Sequence, residues 1–238
     1  MKYPVINVFK AVARWLFILC LPLMLLTAGI TAAVNCSWLY QYGFDKYDVG
    51  STTGLEEDQL EEAADGLISY FNSDEEVISL TVIKDGMPFE LFNEREVIHL
   101  KDVKDLFQLD YRILLVTLSY IIIYACIYLF YRKKIYRPSL ARAVLYGSAL
   151  TLVLMLVAGL GILFNFDGLF WQFHLISFDN DFWKLNPATD YLIMLFPQGF
   201  WYDAAVFCAL VAASGAIILG MTGLLYLRKS GNSLRNGK

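Results

Sequence analysis

Residues 113–134 read ILLVTLSYIIIYACIYLFYRKK. From Ile113 to Tyr131 there is no charge, and Arg132, Lys133 and Lys134 follow at once. As a helix that stretch is about 28 Å long, close to the ~30 Å hydrocarbon thickness of a bilayer. The reading is a transmembrane helix with a basic anchor at its end. Three more uncharged runs have the required length: Trp15 to Val34, Ala143 to Phe164 and Ala204 to Leu227. The predicted fold is therefore an α-helical polytopic membrane protein, a single membrane domain over 1–238. Its four transmembrane helices cover about 15–34, 113–131, 143–164 and 204–227. With 58% hydrophobic and 18% charged residues the chain is too apolar for an ordinary soluble domain.

Charge sorts by segment. Lys and Arg number 3 before the first span, 5 in 132–142 and 4 after the fourth, and these segments hold no Asp or Glu. All 23 acidic residues lie in 35–112 or 165–203. The positive-inside bias then places both termini and the basic loop in the cytoplasm, and the two long segments outside. No catalytic domain fits in the short cytoplasmic parts, so any chemistry is expected at the extracytoplasmic face. The net charge of −4 argues against nucleic acid. The expected location is a cytoplasmic membrane.

The run after Lys2, Lys10 and Arg14 exceeds the about 7–15 apolar residues of a signal peptide, so it is expected to stay as the first helix. Phe17-Ile18-Leu19 before Cys20 does not suit lipoprotein processing. Cys20, Cys36, Cys126 and Cys208 lack metal or redox spacing and read as small apolar residues. Without a sustained small-xxx-small seam, a monomer is expected.

Residues 35–112 read as a small α+β extracytoplasmic cap. Thr53 with Glu56 suggests a capping box, and Leu60, Ala63, Ala64, Leu67, Ile68 and Phe71 fall at helical spacing over 54–72. Its acidic face reads as solvated, and the calcium-loop pattern is absent. Val77 to Ile83 and Met87 to Phe92 flank Asp85-Gly86, a hairpin signal. Asn93 with Glu96 is a second capping signal, opening a helix that leads into the second span. On it Glu96, His99 and Asp102 share a face, where a carboxylate one turn away can orient the imidazole.

Segment 165–203 holds 12 aromatic residues among 39, against 16% for the chain. Such density marks the membrane interface. Short interfacial or re-entrant helices are expected, broken at Asn186-Pro187 and Pro197. His174 sits among Phe170, Trp171, Phe173 and Phe178. The chain has 2 histidines, one in each long segment.

A metal site needs three or four ligands; Asp102, Asp167 or Asp179 could join the histidines, but no HExxH-like pair exists and no metal is expected. Ser177 lacks the nucleophile-elbow pattern. Acid–base chemistry suits two imidazoles better, since one can accept a proton while the other donates. A primary α-amine, with a pKa of about 8, needs only a modest base to attack an ester, and ester-to-amide transfer needs no cofactor.

The stretch Glu96-Val97-Ile98-His99-Leu100-Lys101-Asp102-Val103 resembles the first motif of the bacterial lipoprotein intramolecular transacylases. The stretch from Phe173-His174 through Phe178, Asn180, Trp183, Asn186-Pro187 and Asp190 to Pro197 looks like their second. Leu100 stands where that family usually has Met. The resemblance covers nearly the whole chain, in its four-span layout as well. It implies an enzyme that moves the sn-2 acyl chain of a diacylglyceryl-cysteine lipoprotein to that cysteine's own amine, giving the lyso form. It implies His99 and His174 as catalytic residues. Glu96 or Asp102 would orient His99, while Asp179, Asn180 and Trp183 are candidates for contacting substrate or His174. The partners would be diacylglyceryl-modified lipoproteins and membrane lipid. Two other readings stand beside it. A non-enzymatic sensor or assembly partner predicts histidines far apart. A metal-dependent outer-leaflet hydrolase predicts a third ligand. Imidazoles within about 7 Å can serve one ester; beyond about 12 Å they cannot.

Overall fold

The structure is a computed structural model that describes residues 4–84, 86–131 and 137–236. Its elements run α1 (Pro4–Val34), α2 (Ser37–Lys46), α3 (Val49–Thr53), α4 (Glu57–Asn72), β1 (Thr81–Lys84), β2 (Met87–Glu90), α5 (Glu94–Cys126), α6 (Arg137–Ser177), α7 (Tyr191–Leu195) and α8 (Gln198–Asn236). A π-helical turn, Ile127–Tyr131, continues α5. Helices α1, α5, α6 and α8 are long and apolar enough to cross a membrane; α1, α6 and α8 contain their predicted spans, and the span read at 113–131 is covered by α5 together with the π turn. The basic cluster Arg132-Lys133-Lys134, Lys2, Lys238 and the turn residue Asp85 lie outside the described residues.

The chain forms two compact units, residues 1–30, 111–160 and 208–238 in one, and 31–110 with 161–207 in the other. In the first, Phe17, Ile18, Tyr124, Tyr128, Leu140 and Ala143 make a buried core. The Tyr124 ring stacks on Tyr128 with centroids 4.5 Å apart and lies 4.8 Å from the Phe17 ring. Leu156 and Val157 leave 64% and 63% of their surface exposed, as lipid-facing side chains should. Small residues let backbones approach where no hydrophobic drive exists between helices in lipid. At Gly29 of α1 an added Cβ would stand 2.9 Å from the Cys208 carbonyl oxygen of α8.

In the second unit, α4 buries Leu60, Ala63, Ala64, Leu67 and Phe71 of the positions its periodicity marked, leaves Ile68 half-buried and buries Tyr70 as well. Its capping differs from expectation. Thr53 closes α3 instead, donating to the Val49 carbonyl at 2.7 Å, and Glu56 at the start of α4 makes no side-chain cap. Lys104 of α5 is buried, donates to the Glu75 carbonyl at 2.6 Å and lies over the Tyr70 ring, so the end of α4 is fastened to α5. Helices α2 and α3 carry no strong periodicity and had no sequence signal. The hairpin is shorter than read, pairing Thr81 with Glu90 and Lys84 with Met87. Gly86 has φ +76°, which favours glycine in that turn.

Segment 165–203 departs most from the reading. Residues 166–177 are not a separate interfacial helix but continue α6 through a kink at Asn165 (φ −155°, ψ 56°). The Asn165 side chain accepts from the Gly168 amide at 3.2 Å, so it caps the helix beyond the kink. The break falls at 178–190, where the Asn186 carbonyl accepts from the Thr189 and Asp190 amides. Helix α8 begins directly after Pro197, as expected.

Replacing Gly29 with Leu is expected to push α1 and α8 apart, costing about 1–3 kcal/mol by overpacking. Thermal unfolding in detergent checks this. Gly159→Leu, where an added Cβ meets nothing within 4 Å, should leave the midpoint in place.

Candidate active site

The site begins with the start of α5. Asn93 Oδ1 accepts from the Arg95 and Glu96 amides at 3.0 and 3.2 Å, and Glu96 Oε2 accepts from the Asn93 amide at 2.8 Å. This is the reciprocal capping box that the sequence pattern suggested. Glu96 Oε1 accepts from the Leu192 amide at 2.6 Å. The carboxylate, 1% exposed, therefore joins two segments distant in sequence. Burial holds its pKa above the usual carboxylate value, against the backbone hydrogen bonds that lower it. Both Glu96 oxygens are occupied by backbone amides, so the expected Glu96–His99 pairing is not the one it makes.

One turn on, His99 is 7% exposed and its Nδ1 has no hydrogen-bond partner among the described residues. His174, 8% exposed, lies in the last turns of α6, and its Nδ1 is 2.7 Å from the Phe170 carbonyl oxygen. A carbonyl only accepts, so Nδ1 carries the proton and Nε2 keeps its lone pair. The two rings lie 6.1 Å apart, centroid to centroid, tilted by 32°. Phe178 meets His99 edge-on at 5.0 Å and lies 5.5 Å from His174. Trp183 lies 4.8 Å from His174, and Phe170 4.4 Å.

This bed of rings lowers the charge-holding capacity of both imidazoles. His99 and His174 lie outside the four uncharged runs. Burial pushes His99 down to about 4, with the neighbouring His174 adding to the effect. Burial also lowers His174, with its hydrogen bond to Phe170 opposing. Both rings are neutral near pH 7, each with one donor and one acceptor nitrogen.

The other sequence candidates divide. Trp183 lies against His174. Asp102 Oδ2 accepts from Asn180 Nδ2 at 2.8 Å, so these two meet each other. Asp179 is exposed on the turn. Asp167 accepts from Gln198 Nε2. Among the described residues no group of three His, Cys, Asp or Glu side chains comes together as a metal site would need. The sequence reading gave no role to Phe178, which touches both histidines. It gave none to Asp190 either, which is 7% exposed and accepts from Asn93 Nδ2 at 3.1 Å and the Asn186 amide at 2.7 Å. Aromatic density pointed toward Phe178, and Asp190 stood in the stretch that resembles the second family motif, where nothing local told what it holds.

The family model of lipoprotein intramolecular transacylase Lit matches residues 15–201. The chain belongs to this family. An uncharacterized protein of Aquifex aeolicus (strain VF5) is 29% identical over 134 residues, which span 56% of this chain and 57% of that relative. The chain thus spans about half the length of that curated relative. In fold it is similar to the membrane-integral lipoprotein intramolecular transacylase of Bacillus cereus, at 23% identity and TM-score 0.79, covering 95% of this chain and 99% of that one. A form of the same protein with one histidine replaced by alanine aligns at 20% identity and TM-score 0.77, over 98% and 100% of the two chains. The family membership and the four apolar helices make this a membrane protein.

The His99 shift has a consequence for stability. Its folded pKa, about 4, lies below the ordinary 6.5, so the unfolded chain binds more protons between these values. The contribution is intact above pH 6.5 and is lost as pH falls toward 4. The thermal unfolding midpoint should fall steeply over that window, and His99→Gln should flatten the fall. Parallel curves for the two proteins would contradict the buried neutral imidazole.

Proposed function

We propose that this protein transfers the sn-2 acyl chain of a diacylglyceryl-cysteine lipoprotein to the α-amine of that same cysteine, using His99 and His174 as the acid–base pair. The observation that carries the reading is the 6.1 Å separation of two buried, neutral imidazoles. That distance lets both act on one tetrahedral centre. In this reading Nε2 of His174, left unprotonated by the Nδ1 contact with Phe170, takes a proton from the attacking amine. The amine nitrogen forms a bond to the ester carbonyl carbon. The bond from that carbon to the sn-2 oxygen breaks, and a proton donated by His99 reaches the departing oxygen. The products are an amide and a free glyceryl hydroxyl, and the histidines are restored by passing the proton back. No cofactor enters the balance.

Family membership supports the acyl-transfer class, and the aromatic surroundings support a lipid substrate. Trp171 and Phe173, just before His174 on α6, are each 50% exposed, and acyl chains would lie against them. The charge segregation supports a reaction at the extracytoplasmic face with both termini in the cytoplasm. A non-enzymatic reading called for distant histidines, which is not the arrangement found.

His99→Ala and His174→Ala, each expressed in a bacterium lacking its own transacylase, should leave lipoproteins in the diacylglyceryl form. Mass spectrometry of N-terminal lipopeptides reads this directly. Lyso-form peptides at the wild-type level in either variant would refute the two-histidine mechanism.

A further inference from the structure

After α6 ends at Ser177, the chain runs without regular structure until α7, and its first residues carry two of the rings that surround the histidines, Phe178 and Trp183. Two hydrogen bonds fasten this loop to α5. Asn180 Nδ2 donates to Asp102 Oδ2 at 2.8 Å, and the Arg95 guanidinium donates to the Asp181 carbonyl. Arg95, His99 and Asp102 are spaced four and three residues apart, so they share one face of α5, with His99 between the two fastening points. Asn180 is used at both ends of its amide, because its Oδ1 accepts from the Phe182 amide at 3.0 Å. Its side chain thus shapes the loop and binds it to the helix at once, which leaves it little capacity to bind substrate.

We propose that Asp102 and Asn180 are positioning residues: their side-chain pair closes the 178–183 loop on the histidines, excluding water and setting the spacing of the two rings. The role in catalysis rests on the transacylase reading, but the closure itself does not. Among the described residues no carboxylate hydrogen-bonds to either imidazole. The Phe170 carbonyl fixes the His174 ring from within α6, whereas His99 Nδ1 has no partner among the described residues and the loop's Phe178 meets its ring. Releasing the loop would hydrate His99 and let the rings drift, and drift of the order of 1 Å can cost about a hundredfold in rate.

The test is a side-chain exchange. Asn180→Asp sets two carboxylates against each other and should open the loop. The double variant Asp102→Asn with Asn180→Asp restores a donor facing an acceptor. The carboxylate then at position 180 would still accept from the Phe182 amide, so that pair should close again. The first readout needs no turnover: carbethoxylation of His99 by diethyl pyrocarbonate, followed by peptide mass spectrometry. Labelling should accelerate at least about tenfold in Asn180→Asp and return to the wild-type rate in the exchange variant. The second readout is turnover of a diacylglyceryl lipopeptide. There kcat should fall about tenfold or more with KM little changed, and the exchange should recover it. If Asn180→Asp does not fold, Asn180→Ala removes the bond without adding charge and carries the same expectations, with Asp102→Ala as its counterpart. Unchanged labelling overturns the closure. Faster labelling that the exchange fails to reverse overturns the pairing as its cause. Restored labelling with kcat unaffected throughout overturns the positioning role. If the labelling pattern holds while the wild-type protein transfers no acyl group, the transacylase reading falls and the closure stands.

Discussion

A buried carboxylate held by backbone amides is the constraint around which the site is organised. Glu96 survives at 1% exposure because its oxygens accept backbone amides, from Asn93 on one side and Leu192 on the other. Burying such a group without hydrogen bonds would cost several kcal/mol, so the two segments must stay together wherever it stays buried. Asp190 reinforces the junction by accepting from Asn93 and from the Asn186 amide. The beginning of α5 and the turn ahead of α7 are thereby held as one piece. His99 inherits its place from that piece, one helical turn from Glu96.

The second constraint is dielectric. Two imidazoles in a bed of phenyl and indole rings favour their neutral forms, and that state matches acid–base work on an uncharged ester. The acidic residues nearby in sequence do not disturb this. Glu96 points its oxygens at amides, and Asp102 gives one to Asn180. Carboxylates that sequence spacing offers as partners for a histidine are engaged elsewhere here, Glu96 with backbone amides and Asp102 with the Asn180 side chain.

Much of this was legible along the chain. The four spans follow from uncharged runs with no alternative in hydrocarbon, since a helix is the way a single segment satisfies its own backbone there. The Asn93–Glu96 capping box is a local pattern and appears as read. The burial of α4 follows its periodicity. Local patterns failed where a tertiary contact outcompeted them. Thr53 suggested a cap for α4, yet it bonds back to Val49 and closes a short helix that has no periodic signal of its own. The aromatic density of 165–203 suggested separate interfacial helices, whereas Asn165 turns the chain by capping with its side chain and lets the helix go on to His174.

The sequence by itself determined the membrane class, the spans and the two histidines as the residues to watch. These rest on hydrophobicity, charge and residue chemistry, which need no neighbour to be read. Only the tertiary structure decided that the histidines meet, because residues 99 and 174 are brought together by contacts between positions 78 to 97 apart in the chain, such as Asn180 to Asp102 and Asn93 to Asp190. It also decided what each carboxylate does. Spacing on a helix shows which side chains share a face, but which hydrogen bond a buried oxygen accepts depends on the segment packed against it.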